Sequence, residues 1–238
     1  MSPSIPGPKP KMLSGRRVLG LVAMIAGFLV VQACGHADNP RARTSEALMK
    51  RIVGRQMALA MRDPVFQAAF TGLSPYERTN QANKLFELGI RRLSDKDQIR
   101  YVALRAAGLN AAPEDVCARD WLLWLDSTSV EEFWALKFAA VQAEIRGTPR
   151  SWRTDSTALE LAAQTMSKFF LMDSALFLRR FVRVGADLTE AERCAAHRAM
   201  YGRLSALPEP RQADYARALN TFDAEVSLRR LREKQPGA

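Results

Sequence analysis

The sequence contains few of the residues that bind transition metals or act as catalytic bases. It has only two histidines, His36 and His197, and three cysteines among 238 residues. Zinc sites gather several such ligands at short spacings, yet neither a Cys-x-x-Cys pair nor a His-Glu-x-x-His motif occurs, so we predict no metal site. The glycine-rich loops that hold nucleotide phosphates are also missing, which predicts that no nucleotide cofactor is bound.

Strand-like patterns are missing as well. From Ser45 onward the chain is rich in Ala, Leu, Arg and Glu, without the alternation of β-branched and polar residues that marks strands. No unit recurs at a fixed period, which argues against a solenoid. We therefore predict that residues 45–238 form a single all-α domain, a compact multi-helix bundle of roughly eight to nine helices.

Several predicted helices begin at a capping residue. Ser74, Ser129 and Thr189 are each followed three positions later by Glu, the spacing of a capping box, and Ser94 is followed by Asp97. Residues 166–178, within a long helix predicted at 156–183, are apolar on most faces, so this segment is expected to be buried at the centre of the bundle. The predicted helices span residues 45–61, 64–71, 75–92, 95–108, 113–125, 130–146, 156–183, 190–206 and 210–233.

A dense basic run is also absent, although the formal net charge is +10. Scattered charge of this kind is typical of a solvated surface, so we expect no binding to nucleic acid.

A long uncharged run lies at the N-terminus. Residues 18–33 carry no charge, and Arg16 and Arg17 stand immediately before them. A basic flank followed by a short apolar run is typical of an export signal, because the cations stay in the cytoplasm while the apolar run enters the membrane. The run is shorter than the roughly 20 residues that span a bilayer, which favours a cleaved signal over a retained anchor. The residues before the run are proline-rich, and a start at Met12 would give a leader of ordinary proportions.

The apolar run ends in Val31-Gln32-Ala33-Cys34, which resembles the lipobox of bacterial lipoprotein precursors. The resemblance covers this N-terminal segment alone. It implies that residues 1–33 are the signal, that Cys34 is acylated as the first mature residue, and that residues 34–44 are a tether. It also implies a membrane-anchored protein facing the periplasm, with Gly35 slightly favouring the outer membrane. Gln32 and Val31 differ from the commoner residues at their positions, and cleavage after Ala37 is the alternative.

Cys117 and Cys194 are the two remaining cysteines. Export would place both thiols in an oxidising compartment, which predicts a disulfide between them. Two separate buried thiols are the alternative interpretation.

Three residues are weak catalytic candidates: Asp173, Glu144 and His197. His197 lies on the same helical face as Cys194, which favours a half-buried core histidine over a catalytic base. Asp173 is surrounded in sequence by apolar residues that would desolvate its charge, and an ion pair with an arginine such as Arg180 is the structural interpretation.

The four tryptophans fall close together in the sequence and are a further candidate binding site. Clustered indoles can stack on a sugar or anchor a protein partner, although in helical proteins they more often fill the core. They are Trp121, Trp124, Trp134 and Trp152.

Together these features favour a non-catalytic, membrane-anchored envelope lipoprotein whose helical domain binds a protein partner as a scaffold, accessory subunit or inhibitor. The alternative is a periplasmic hydrolase that uses an acidic residue in an all-helical fold. Polar groups converging on a desolvated carboxylate in a cleft would favour the hydrolase, whereas an exposed apolar patch would favour the binding protein.

Overall fold

The computed structural model describes residues 40–150, 158–178 and 188–233, and within these ranges all regular structure is helical. The predicted all-α multi-helix bundle is therefore confirmed. Short 3-10 turns at Ile90–Arg92, Trp121–Trp124 and Arg203–Ala206 extend three of the helices. The α-helices are α1 (Pro40–Ala60), α2 (Pro64–Phe70), α3 (Pro75–Gly89), α4 (Asp95–Ala111), α5 (Cys117–Asp120), α6 (Ser127–Ile145), α7 (Ala158–Phe169), α8 (Ser174–Leu178), α9 (Glu190–Gly202) and α10 (Glu209–Glu233).

Three of the four predicted helix starts are confirmed. The Ser74 hydroxyl accepts a hydrogen bond from the Glu77 backbone N–H, and the Glu77 carboxylate accepts one from the Ser74 N–H at 2.7 Å. Thr189 forms the same reciprocal capping box at the start of α9. Ser94 caps α4 by accepting from the Asp97 N–H. These bonds satisfy backbone donors that a helix leaves without a partner in its first turn.

The predicted capping box at Ser129 is wrong. Helix α6 begins at Ser127, because the Asp126 carboxylate accepts a hydrogen bond from the Ser129 N–H at 2.9 Å and so serves as the cap. Glu132 does not reach back to the helix start and instead pairs with Arg100 of α4.

The long helix predicted at residues 156–183 is interrupted. Helix α7 ends at Phe169, and Leu171 adopts a left-handed backbone with φ of 52°. Asp173 then caps the short helix α8 by accepting hydrogen bonds from the N–H groups of Ala175 and Leu176. An aspartate competes for helix N–H groups in this way, which is why an apolar pattern alone did not reveal the break. Residues 156–157 and 179–183 of the predicted helix lie outside the described ranges.

Helix α10 lies at the centre of the bundle, where residues 166–178 were expected. It packs against α3, α4 and α7, and its Tyr215, Leu219 and Phe222 are fully or almost fully buried. On the other side of α3, α6 packs against both α3 and α1. The α3–α6 contact depends on Gly89, because a β-carbon there would lie only 2.0 Å from the carbonyl oxygen of Ala140.

A second close approach shapes the middle of the chain. The segment predicted as one helix at residues 113–125 forms only the short α5 and the following 3-10 turn. Trp121 of that turn packs on Gly108 of α4, where a β-carbon would meet the indole at 2.6 Å. The need to seat this ring against α4 favours a compact turn over a straight helix.

The predicted disulfide between Cys117 and Cys194 is present. It joins α5 to α9, with the two α-carbons 5.5 Å apart, and both residues are completely buried. The bond closes a sequence separation of 77 residues. It therefore holds α9 against the middle of the chain.

We predict that Cys117→Ser and Cys194→Ser each lower the free energy of unfolding by roughly 2–4 kcal/mol, because each change releases the same loop in the unfolded chain. The double variant should cost little more than either single variant, since only one link is lost. Denaturant unfolding of all three proteins measures this. Additive losses would contradict the prediction.

Candidate functional site: a polar cavity between α3, α4, α9 and α10

A small cavity opens between four helices of the bundle. Its volume is about 120 Å³, and it lies where α3, α4 and α9 meet the middle of α10. Apolar side chains, among them Phe86 and Phe222, form part of its wall. The polar and ionisable side chains in the wall are Glu87, Tyr101, Arg105, His197, Asn220, Asp223 and Ser227.

Arg105 and Asp223 form an ion pair across this cavity. The Arg105 Nη1 lies 3.1 Å from the Asp223 Oδ2, and the Tyr201 hydroxyl donates a hydrogen bond to the same oxygen. The guanidinium carbon also lies 4.4 Å from the centre of the Tyr201 ring. The pair thus links α4, α9 and α10 and balances the Asp223 charge inside the protein.

The cavity changes the acidity of Glu87. Burial raises the pKa of Glu87 to about 7, opposed by the Lys137 ammonium and reinforced by the Asp223 carboxylate. A hydrogen bond with the Ser227 side chain favours the ionised form but does not offset the burial. Glu87 therefore changes charge close to neutral pH, unlike an ordinary surface glutamate.

Lys137 of α6 lies behind Glu87 among aromatic rings. Its Nζ is 4.5 Å from the centre of the Phe86 ring and 5.0 Å from that of Trp134. Burial lowers the pKa of Lys137 to about 8, although the Glu87 carboxylate raises it. The ring faces attract the ammonium and so stabilise the Lys137 cation among the aromatic side chains.

Of the three weak catalytic candidates, only His197 lies at the cavity. It is half-buried, and its ring centre lies 6.4 Å from that of Tyr201 in an edge-on arrangement. Glu144 is not in the cavity wall and forms ion pairs with Arg92 and with Arg150, the latter at 2.9 Å.

Asp173 is exposed and caps α8, so the expectation that it is desolvated is wrong. The interruption of the long helix turns its carboxylate toward backbone N–H groups instead of an apolar interior. Its expected partner, Arg180, lies outside the described residues.

The three tryptophans that the structure describes do not form an exposed stacking surface. Trp121 and Trp134 are buried, and each meets the ring of Phe133 edge-on, at centroid distances of 5.1 and 5.9 Å. Trp124 is half-buried, and Trp152 lies outside the described residues. The two buried indoles thus fill the core between α4 and α6.

Sequence reasoning missed the charged residues of the cavity, because each resembles an ordinary charge on a helix. They are Glu87, Arg105 and Asp223 in the wall and Lys137 beside Glu87. A signal did exist for Asp223, which lies on the apolar stripe of α10 between Leu219 and Val226. A charge in such a stripe must find a partner inside the fold.

Within the described ranges, no helix combines the length and apolar character needed to cross a bilayer. In the same ranges, histidine, cysteine and acidic residues do not converge in groups of three or more that would hold a metal ion. Comparisons of the chain with protein-family models, curated proteins and solved structures found no match.

We predict that Glu87→Gln removes a pH-dependent part of the stability. Between pH 4.5, the ordinary pKa, and pH 7, the unfolded chain loses this proton while the folded protein keeps it, so the wild-type free energy of unfolding falls as pH rises. The variant should show a smaller decline in this window and be at least as stable as wild type at pH 8. Denaturant unfolding across pH 4–8 measures both effects. Glu160→Gln, a change at an exposed residue of α7, should behave like wild type, and identical slopes in all three proteins would refute the assignment.

Proposed function

We propose that the protein is an exported, lipid-anchored envelope lipoprotein whose helical domain binds a protein partner without catalysing a reaction. The basic leader, the apolar run and Ala33-Cys34 support the anchor on sequence grounds. These residues precede the described ranges. Export also agrees with the buried disulfide between Cys117 and Cys194, because such bonds persist in oxidising compartments.

The observation that carries the binding role is the turn between α7 and α8. Leu171, at its tip, is 91% exposed and has a left-handed backbone, which bulky residues rarely adopt. Leu176 is 43% exposed, and Phe170 and Met172 are half-buried beside it in sequence. An apolar side chain presented to water on a strained backbone supports a contact surface, because neither feature benefits the isolated fold.

The periplasmic hydrolase is the second candidate, and Glu87 is the residue that favours it. A carboxyl group with a pKa of about 7 suits a general acid or base. The cavity, however, measures only about 120 Å³, whereas pockets that enclose a drug-sized molecule span roughly 300–1,000 Å³. Glu144, paired with two arginines, and Asp173, bonded to a helix N-terminus, are both engaged in structural roles. We therefore place the hydrolase second.

The lipid anchor predicts a clear result for Cys34→Ser. Without a thiol the diacylglyceryl transfer expected of a lipobox cannot occur, so metabolic labelling with a radioactive or clickable fatty acid should be lost. Cell fractionation should find the variant released from the membrane or retained as the uncleaved precursor. Cys117→Ser serves as the control and should still be labelled. Undiminished labelling of the Cys34 variant would exclude this anchor.

The partner surface predicts that Leu171→Asn abolishes binding without unfolding the domain. Asparagine tolerates the left-handed backbone better than leucine, so the variant should be as stable as wild type or more stable. Cross-linking of the tagged full-length protein in its own cell envelope should yield a discrete adduct that Leu171→Asn loses. Leu59→Asn changes a leucine that is 50% exposed on α1 and is the matched control. Loss of the adduct in both variants, or in neither, would argue against the Leu171 turn as the contact.

A further inference from the structure

The solvent-facing side of α1 is a basic surface. Residues 47–60 of this helix contain three cations and no acidic residue. The cations are Lys50, Arg51 and Arg55, and all three are exposed. The opposite side of the helix is apolar and buried, and there α1 packs against α6. The three exposed cations are named here the α1 basic face.

Only part of this positive charge is balanced within the protein. Arg55 pairs with Glu131 of α6, and the two side chains are 55% and 45% exposed. Successive residues of an α-helix turn by about 100°, so Arg51 lies almost opposite the buried Met49 and points away from the core. Arg51 forms no ion pair with another residue of the described ranges. The α1 basic face therefore presents net positive charge to its surroundings.

The proposed lipid anchor would hold this face close to a membrane. Cys34 and Pro40, the first residue of α1, are six positions apart, and six extended residues span at most about 22 Å. Lys50 lies ten positions further along, which is about 15 Å of helix. Because so short a tether gives a high effective concentration, even weak attraction to the lipid surface is enough to keep α1 there.

We propose that the α1 basic face docks on anionic phospholipid head groups beside the anchor, so that α1 lies along the membrane surface. The proposal rests on the lipid anchor proposed for Cys34. Head-group phosphates attract Lys and Arg, and each such residue near an anionic surface strengthens binding roughly fivefold. Lys50 and Arg51 together should then favour the docked state by roughly 25-fold. Salt should weaken the attraction, because it screens exposed charges.

The test follows acetylation of Lys50 in the full-length protein incorporated into lipid vesicles. Vesicles of phosphatidylcholine are compared with an equimolar mixture of phosphatidylcholine and phosphatidylglycerol, and mass spectrometry gives the rate at each lysine. Lys50 should react at least about fivefold more slowly on the anionic vesicles, and about 0.5 M NaCl should remove the difference. Lys168, exposed on α7, should react equally on both. Equal Lys50 rates on the two vesicles, or the same slowing at Lys168, would overturn the proposal.

Two charge reversals test whether the position of the charge matters. Arg51→Glu should raise the Lys50 rate on anionic vesicles to the rate on phosphatidylcholine. Lys96→Glu reverses an exposed charge on α4 and should leave the Lys50 rate unchanged. The same effect from both variants would show a dependence on net charge alone and refute the face. Protection of Lys50 in native envelope membranes but not on anionic vesicles would assign the face to a protein, which also overturns the proposal.

Failure of the anchor and failure of the docking surface give different results. If only the anchor is wrong, wild type carries no fatty acid, yet Cys34→Ser protein mixed with the anionic vesicles still shows slow acetylation of Lys50, which supports the docking. If only the docking surface is wrong, wild type carries the fatty acid, but Lys50 reacts equally on both vesicles.

Discussion

The partly buried ion pair between Arg105 and Asp223 is the constraint around which the rest of the bundle is arranged. It fixes the rotation of α10, because Asp223 must face α4 while Leu219 and Phe222 enter the core. A charge inside a protein is energetically unfavourable unless it is paired. Removing one partner would therefore leave the other charge unpaired and destabilise the fold. The neighbouring pair of Arg91 and Glu225 repeats the arrangement near the start of α4, with the Arg91 side chain only 1% exposed. Two such pairs make a shifted register of α10 unfavourable.

Charged groups at the centre of a helical bundle also leave an imperfectly filled space. Long polar side chains do not interlock as leucine and phenylalanine do, and the cavity lies where α10 presents Asp223 and Ser227 to α3 and α4. The same geometry raises the pKa of Glu87, because its carboxyl group is buried near Asp223. The raised pKa of Glu87 is therefore partly a consequence of the position of Asp223 on α10.

Local sequence patterns predicted much of the helical framework, but not its centre. Capping at Ser74, Ser94 and Thr189 depends on residues three positions apart, so it can be read from one segment. The break at Leu171 depends on a single cap, and the contact between Trp121 and Gly108 joins residues from different elements. The hydrophobic periodicity of a helix reveals neither feature. The cavity was harder still, because its charges come from four helices and each looks solvated when its helix is considered alone. The disulfide was predictable because only two cysteines remained outside the N-terminal segment.

Helix α9 connects the disulfide to the cavity. Cys194, His197 and Tyr201 are spaced by three and four residues, so they share one face of the helix. Cys194 fixes one end of this face to α5, and Tyr201 donates its hydroxyl to Asp223 at the other. Arg198 adds a third attachment by donating to the carbonyl oxygens of Leu109 and Ala112 at the end of α4, groups that the helix itself leaves without a donor. The position of Tyr201 over the ion pair is thus set by three contacts of different chemistry. The disulfide and the cavity are therefore joined through one short helix.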